Sequence, residues 1–384
     1  MRRAALIALL VAARPSAADP GAPGVPAPAV ASVPAAGGAA APVATAPPAK
    51  AHASSPRRWF VLPVVSYLPE TGLGGGASAG LHVPREGAPR PASFFATALY
   101  TTEGQGLLDL AADVSLPGGA AVSARARAVR YPDRFYGIGP ETPSSAEERF
   151  TRRLIELVAA AELPLLGVAH LRAGPRLELR AEEIDGVAPG GALATGDRTG
   201  AEGSSGAAAG LGLTWDTREG TFWPRRGTMA QAWYVYAPAP LSRTGPYGRG
   251  VLELRQFAPL PYGLVLGLHA YGEAVTGDAP FTLYPRLGST RMLRGIREGR
   301  YRDRVGWTLQ SELRAPLWRR ISAVAFGAVG DVAPGVDRLR LDDPKLAGGL
   351  GLRYRLTDEG ANVRMDVASG AFGVQLYLLV LEAF

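Results

Sequence analysis

The sequence contains no cysteine. This excludes disulfides, thiolate metal sites and lipid attachment through an N-terminal cysteine, and suits a chain matured in an oxidising compartment without covalent bridges. Beyond its first residues the chain has no run of about 18 uncharged apolar residues, so no inner-membrane helix is expected. Histidine is scarce, with 4 in 384 residues. His82, His170 and His269 stand near no recognisable serine or acid motif and show no metal-ligand spacing. The glycine-rich stretch Gly72 to Gly80 is followed by neither a helix nor a lysine, which argues against a nucleotide-phosphate loop and leaves small residues in a curving strand. Neither catalysis nor a metal or other cofactor is expected.

Glycine (49) and proline (33) are abundant, and 47% of residues are hydrophobic, scattered in short alternating groups rather than helical stripes. That mixture favours strands and turns. The formal charge is +7. The arginines alternate along strand-like segments and do not cluster with exposed aromatics, so an arginine-lined interior accounts for them better than nucleic-acid binding, which is not expected.

Residues 1–18 read as a secretory signal. Arg2 and Arg3 supply the positive start, Ala4 to Ala12 an apolar stretch too short to span a bilayer, and Ser16, Ala17 and Ala18 a small-residue cleavage site. Residues 19–56 are nearly all Ala, Pro, Gly, Val and Ser, a composition that cannot bury a core and reads as a disordered tether. Residues 57–384 form the folded domain.

Within that domain, apolar and polar residues trade places with a period of two. Trp307, Leu309, Leu313, Ala315 and Leu317 share one face of a segment, and Thr308, Gln310, Glu312 and Arg314 the other. Leu346, Leu350, Leu352, Tyr354 and Leu356 oppose Gly349, Gly351, Arg353 and Arg355, and Val363, Met365 and Val367 oppose Asn362, Arg364 and Asp366. Candidate strands begin near residues 59, 73, 92, 106, 121, 150, 169, 206, 228, 249, 263, 306, 321, 346, 361 and 373. The tally is even and the strands run to about ten residues, as a tilted outer-membrane crossing requires. Charges at alternate positions, such as Arg125 and Arg127 or Glu253 and Arg255, would be costly in a dry core and are natural in a wet lumen. The expected fold is therefore all-β, a transmembrane antiparallel barrel of about 16 strands. The sequence closes with a strand-like stretch on Phe384, which resembles the aromatic signal by which outer-membrane barrels are recognised for assembly.

Four stretches together resemble the BamA/TamA family of bacterial surface antigens, whose barrels insert, assemble or export other outer-membrane proteins. They are Tyr67 to Gly76 at the barrel start; Arg134 to Thr142; Leu213 to Arg218 with Phe222 to Gly227; and Leu287 to Asp303. The last is similar to the family's arginine-glycine-aromatic motif on a long extracellular loop that folds back into the lumen. The resemblance implies that Arg294 anchors that loop with Gly295 and Ile296, with Glu312 as its acidic partner and Asp366 as a second candidate. A guanidinium can make fork-shaped bonds to a carboxylate on the wall, and the glycine lets the backbone approach. Ile296 stands where the family has an aromatic, so any stacking from that position is lost. Where the family usually has an acid, this chain aligns Ala328; either Asp331 substitutes or the anchor relies on Glu312 alone.

The resemblance covers the barrel only, since the low-complexity tether precedes it where assembly members carry POTRA domains. It implies an outer-membrane protein acting as an insertion or translocation pore, gated by its first-to-last strand seam or by the loop carrying Arg294. A passive porin-like channel or structural surface antigen is the alternative. The expected partners are outer-membrane lipid and, during biogenesis, the barrel assembly machinery; residues 19–56 are the segment through which a periplasmic partner would be reached.

Overall fold

The structure is a computed structural model that describes residues 58–384 apart from 89–90, 221–222, 357–361 and 381. The expected signal and tether, and Phe222, lie outside the described residues. The strands are β1 (Arg58–Leu68), β2 (Gly72–Val83), β3 (Ala92–Thr101), β4 (Gly106–Ser115), β5 (Ala121–Phe135), β6 (Glu148–Leu165), β7 (Val168–Asp185), β8 (Ser204–Asp216), β9 (Gly227–Ala237), β10 (Tyr247–Pro259), β11 (Val265–Gly277), β12 (Val305–Trp318), β13 (Ile321–Ala333), β14 (Lys345–Arg355), β15 (Asn362–Gly370) and β16 (Gly373–Val380). Each pairs antiparallel with the next, and β16 returns to β1, so sixteen strands close into one barrel. Every strand start expected from the alternation falls within two residues of the observed one.

The period-two pattern positions side chains as the sequence requires. On β12, Leu309 and Leu313 are exposed on the outer face while Thr308, Gln310, Glu312 and Arg314 are buried within. On β14 and β15, Leu350, Leu352, Met365 and Val367 face out, and Arg353, Arg364 and Asp366 face in. Arg355, expected inward, is exposed; it ends β14, at the rim of the barrel. An outer wall of exposed leucine, valine and tyrosine fits an apolar surrounding.

Inside, many of the buried charges are paired, mostly across neighbouring strands. Arg127 meets Glu156, Arg152 meets Glu182 at 3.1 Å, Arg180 reaches both Glu156 and Glu182, and Arg249 meets Glu273 at 2.7 Å. Pairing is what makes so many buried guanidinium groups tolerable, since an unpaired buried charge costs several kcal/mol, roughly.

Because the strands alternate in direction, β1 begins and β16 ends at the same rim. Short turns such as 166–167 and 319–320 lie there, whereas connections 136–147, 186–203, 278–304 and 334–344 lie at the opposite rim. The closure is uneven. β1 pairs with β2 along its whole length, from Arg58 with His82 to Leu68 with Gly72, but with β16 it shares one register partner among the described residues, Tyr67 with Leu378. Replacing Leu350, 68% exposed at the middle of β14, by arginine should destabilise the barrel in bilayers by about 2–4 kcal/mol. The check is the urea midpoint of folding into phospholipid vesicles.

Candidate functional site

The connection between β11 and β12, residues 278–304, is built as a folded hairpin. Leu287 N–H donates to the Tyr301 carbonyl and Gly299 N–H to the Leu287 carbonyl, each at 3.0 Å, while the Ser289 hydroxyl accepts from the amides of Arg291 and Met292 at 3.2 and 2.8 Å. Serine serves the turn because its short side chain reaches its own neighbouring amides. Phe281, Leu283, Leu287, Leu293 and Ile296 are all buried.

At the hairpin tip Arg294 is 1% exposed and holds two carboxylates from the inward wall. Its two terminal nitrogens donate to Asp366 on β15 at 2.6 Å and to Glu312 on β12 at 2.5 Å. The Phe326 ring on β13 lies under the guanidinium, 3.6 Å away. Gly295 adopts φ +105°, and a Cβ there would stand 2.9 Å from the Ser369 backbone, so both conformation and approach require glycine. Its N–H donates to the Tyr377 hydroxyl on β16 at 3.0 Å. Leu293, just before the arginine, carries φ +48°, a strained conformation costing of order 1 kcal/mol or more that persists only where its surroundings enforce it.

The structure therefore brings Arg294, Gly295, Glu312 and Asp366 together, with Ile296 packed close to Gly370. It does not bring Asp331. That residue sits five positions further along β13 than Phe326, opposite Trp307, and accepts the Val332 N–H at 2.9 Å. The aromatic face absent from position 296 is supplied from the wall by Phe326, a partner the sequence reading missed. Phe326 does lie on the alternating apolar and small segment of β13, but spacing alone gave no sign that it would meet the loop.

Two of the other three family-like stretches reach the same hairpin, and the third reaches its Glu312 partner through Arg314. From the first, Glu70 accepts the Glu298 N–H at 3.2 Å. From the second, Gly139 N–H donates to the Arg302 carbonyl at 2.8 Å, and Arg300 donates to the Thr142 hydroxyl at 2.8 Å. From the third, Trp223 lies against Arg314, which also donates to Glu312 at 3.1 Å. Glu70 follows β1 and Tyr377 is on β16, so the hairpin holds both sides of the thinly paired seam.

Phe384 is not on β16. That strand ends at Val380, and Phe384 is buried against inward residues, its ring stacked 4.9 Å from His269 and close to Phe257. Among the described residues no cluster of three or more histidine and acidic side chains could hold a metal ion.

Glu298 is the titratable centre of the hairpin. Burial pushes it up to about 7, the Asp133 and Glu70 carboxylates push the same way, and the Arg286 guanidinium, 3.0 Å away, opposes them. Burial likewise raises Glu70.

Among solved structures the chain is similar to BamA from Haemophilus ducreyi lacking POTRA domains 1–3, with TM-score 0.58 and 12% identity over 84% of this chain and 70% of that one. It is also similar to CdiB from Acinetobacter baumannii, with TM-score 0.55 and 12% identity over 84% of this chain and 59% of that one. CdiB from Escherichia coli gives TM-score 0.59 and 11% identity, over 85% and 63% respectively. The chain thus spans less than two thirds of the CdiB chains, and the likeness is one of fold. No family model matches the sequence, and no curated protein matches it in sequence.

Two outcomes follow from this geometry. An acid whose pKa is raised on docking stabilises the docked hairpin fully below its ordinary value near 4.5, and that contribution is lost as pH rises through about 7. Opening events of the protein in planar bilayers should therefore become more frequent between pH 5 and pH 8, and Glu298→Gln should flatten the dependence. Gly295→Ala should loosen the hairpin by about 1–3 kcal/mol, read as faster tryptic cleavage within its arginine-rich segment at constant pH.

Proposed function

We propose that this protein is a bacterial outer-membrane barrel that inserts or translocates polypeptides, opening by release of the 278–304 hairpin and parting of the β1–β16 seam. The observation that carries the reading is the dual attachment of the hairpin tip. Arg294 is forked between Glu312 and Asp366, while the adjoining residues bond to Tyr377 on one side of the seam and to Glu70 on the other. One displacement would remove the lumenal obstruction and unclamp the weakest strand pairing together.

The fold shared with the BamA and CdiB barrels supports this reading, as does the apolar outer wall that suits lipid. A bonded hairpin across the lumen fits a gated conduit better than a passive open pore. No catalytic role is proposed: His269, the most buried of the barrel histidines, bonds to Glu253 at 2.9 Å and to Gln310 at 2.9 Å rather than to a nucleophile. Residues 19–56 would be the route to a periplasmic partner.

Single-channel recordings of the refolded protein test the reading. The wild type should be quiet or flicker, and Arg294→Ala should open to a larger, steadier conductance, because removing one partner leaves Glu312 and Asp366 short of a counter-charge and frees the tip. Equal open conductance in both would favour the porin-like alternative.

A further inference from the structure

The segment after β16 occupies the opposite end of the lumen from the hairpin's base, and its polar contacts form a second bonded unit. Glu382 accepts from Arg353 on β14 at 2.7 Å and from Asn362 on β15 at 3.0 Å. The Phe384 main-chain oxygen accepts from Arg314 on β12 at 3.0 Å. The Phe384 ring fits over Gly267 on β11, where a Cβ would lie 3.3 Å from it, and stacks on His269. The turn after β8 folds in beside it, with the Pro224 carbonyl accepting from Arg314 at 3.3 Å and Trp223 lying 4.6 Å from that guanidinium. Glu382, Ala383 and Phe384 are all buried.

Three of the wall residues that hold this segment, Arg314, Arg353 and His269, also reach the hairpin, each through one shared partner. Arg314 shares Glu312 with Arg294. Arg353 shares Asp366 with Arg294, at 2.5 Å and 2.6 Å. Under the Phe384 ring, His269 accepts from Gln310, which also donates to the Arg291 carbonyl of the hairpin at 3.0 Å. Three separate routes therefore join the two obstructions through single side chains.

We infer that residues 382–384 are a second lumenal plug, coupled to the hairpin through Glu312, Asp366 and Gln310, so that loosening either one loosens the other. The physical reason is charge sharing. Each carboxylate is divided between a guanidinium from the hairpin and one committed to the tail segment, and its orientation is fixed by both. When Glu382 loses its charge, Arg353 turns more fully to Asp366 and competes with Arg294 for it. When Arg294 leaves, Glu312 and Asp366 draw Arg314 and Arg353 away from Phe384 and Glu382. A coupling free energy is reciprocal by necessity, which makes the inference testable from both ends. It rests on the reading of the hairpin as releasable but not on any transported substrate.

The absence of native cysteine makes single-cysteine reporters clean. Met292→Cys reports on the hairpin and Ala383→Cys on the tail segment, each labelled with a charged maleimide on folded, heat-modifiable barrel in detergent. Glu382→Gln should speed labelling at Met292→Cys, and Arg294→Ala should speed labelling at Ala383→Cys, by roughly threefold or more in each direction, as expected for residues in one bonded network. If Glu382→Gln does not fold, Asn362→Ala removes one of the two Glu382 bonds and should act in the same direction. The inference is overturned if Glu382→Gln exposes Ala383→Cys yet leaves Met292→Cys unchanged, or if Arg294→Ala leaves Ala383→Cys unchanged. Reciprocal labelling in a protein with no gated conductance would remove the proposed function and leave the coupling intact; gated conductance without reciprocal labelling would do the reverse.

Discussion

A buried guanidinium must be met by acceptors along its fork, and Arg294 meets that demand with carboxylates from two strands that are not neighbours, β12 and β15. The strained Leu293, the close approach of Gly295 to Ser369 and the bond from Gly295 to Tyr377 all sit within two residues of that fork. Charge pairing of this kind gives modest net stability, because the desolvation cost of the ions offsets much of their attraction. What it provides is position: a polar tip has one place against the inward wall where its bonds are satisfied. The Phe326 face beneath the guanidinium adds a preference of about 0.5–2 kcal/mol that is likewise specific to that place.

The same logic runs around the inner wall. Arg127, Arg152, Arg180 and Arg249 are each paired with acids on adjacent strands, so the interior is a lattice of shared charges rather than an aqueous tube lined with one sign. A net charge of +7 is thus mostly the residue of many cancelled pairs.

Much of this was legible in the sequence. Period-two alternation locates strands well when one face meets lipid and the other meets charge, which is why Leu346 to Leu356 and Val363 to Val367 could be assigned to faces before their partners were known. Arg294, Glu312 and Asp366 were legible because an arginine-glycine pair in a long loop resembles a known motif, and because Glu312 and Asp366 fall on the inward faces of strands that follow it. Phe326 and the inward course of Phe384 were not legible. Both depend on three-dimensional register: which residue of β13 stands at the level of the hairpin tip, and where β16 stops. Asp331 has the right chemistry, but it pairs opposite Trp307 and so takes the other face of β13 from Phe326, besides standing nearer the rim. Alternation fixes which face a residue takes and says nothing about its height.

Height has a consequence at the seam. β6 is 18 residues long and β16 only 8. At about 3.3 Å per residue and a tilt near 45°, β16 rises roughly 20 Å where a bilayer's hydrocarbon is about 30 Å thick. A bilayer matched to the longer strands would be mismatched beside the last one, at a modest cost for each ångström. The mismatch thus falls on the flank of the barrel where β1 and β16 share a single register partner among the described residues.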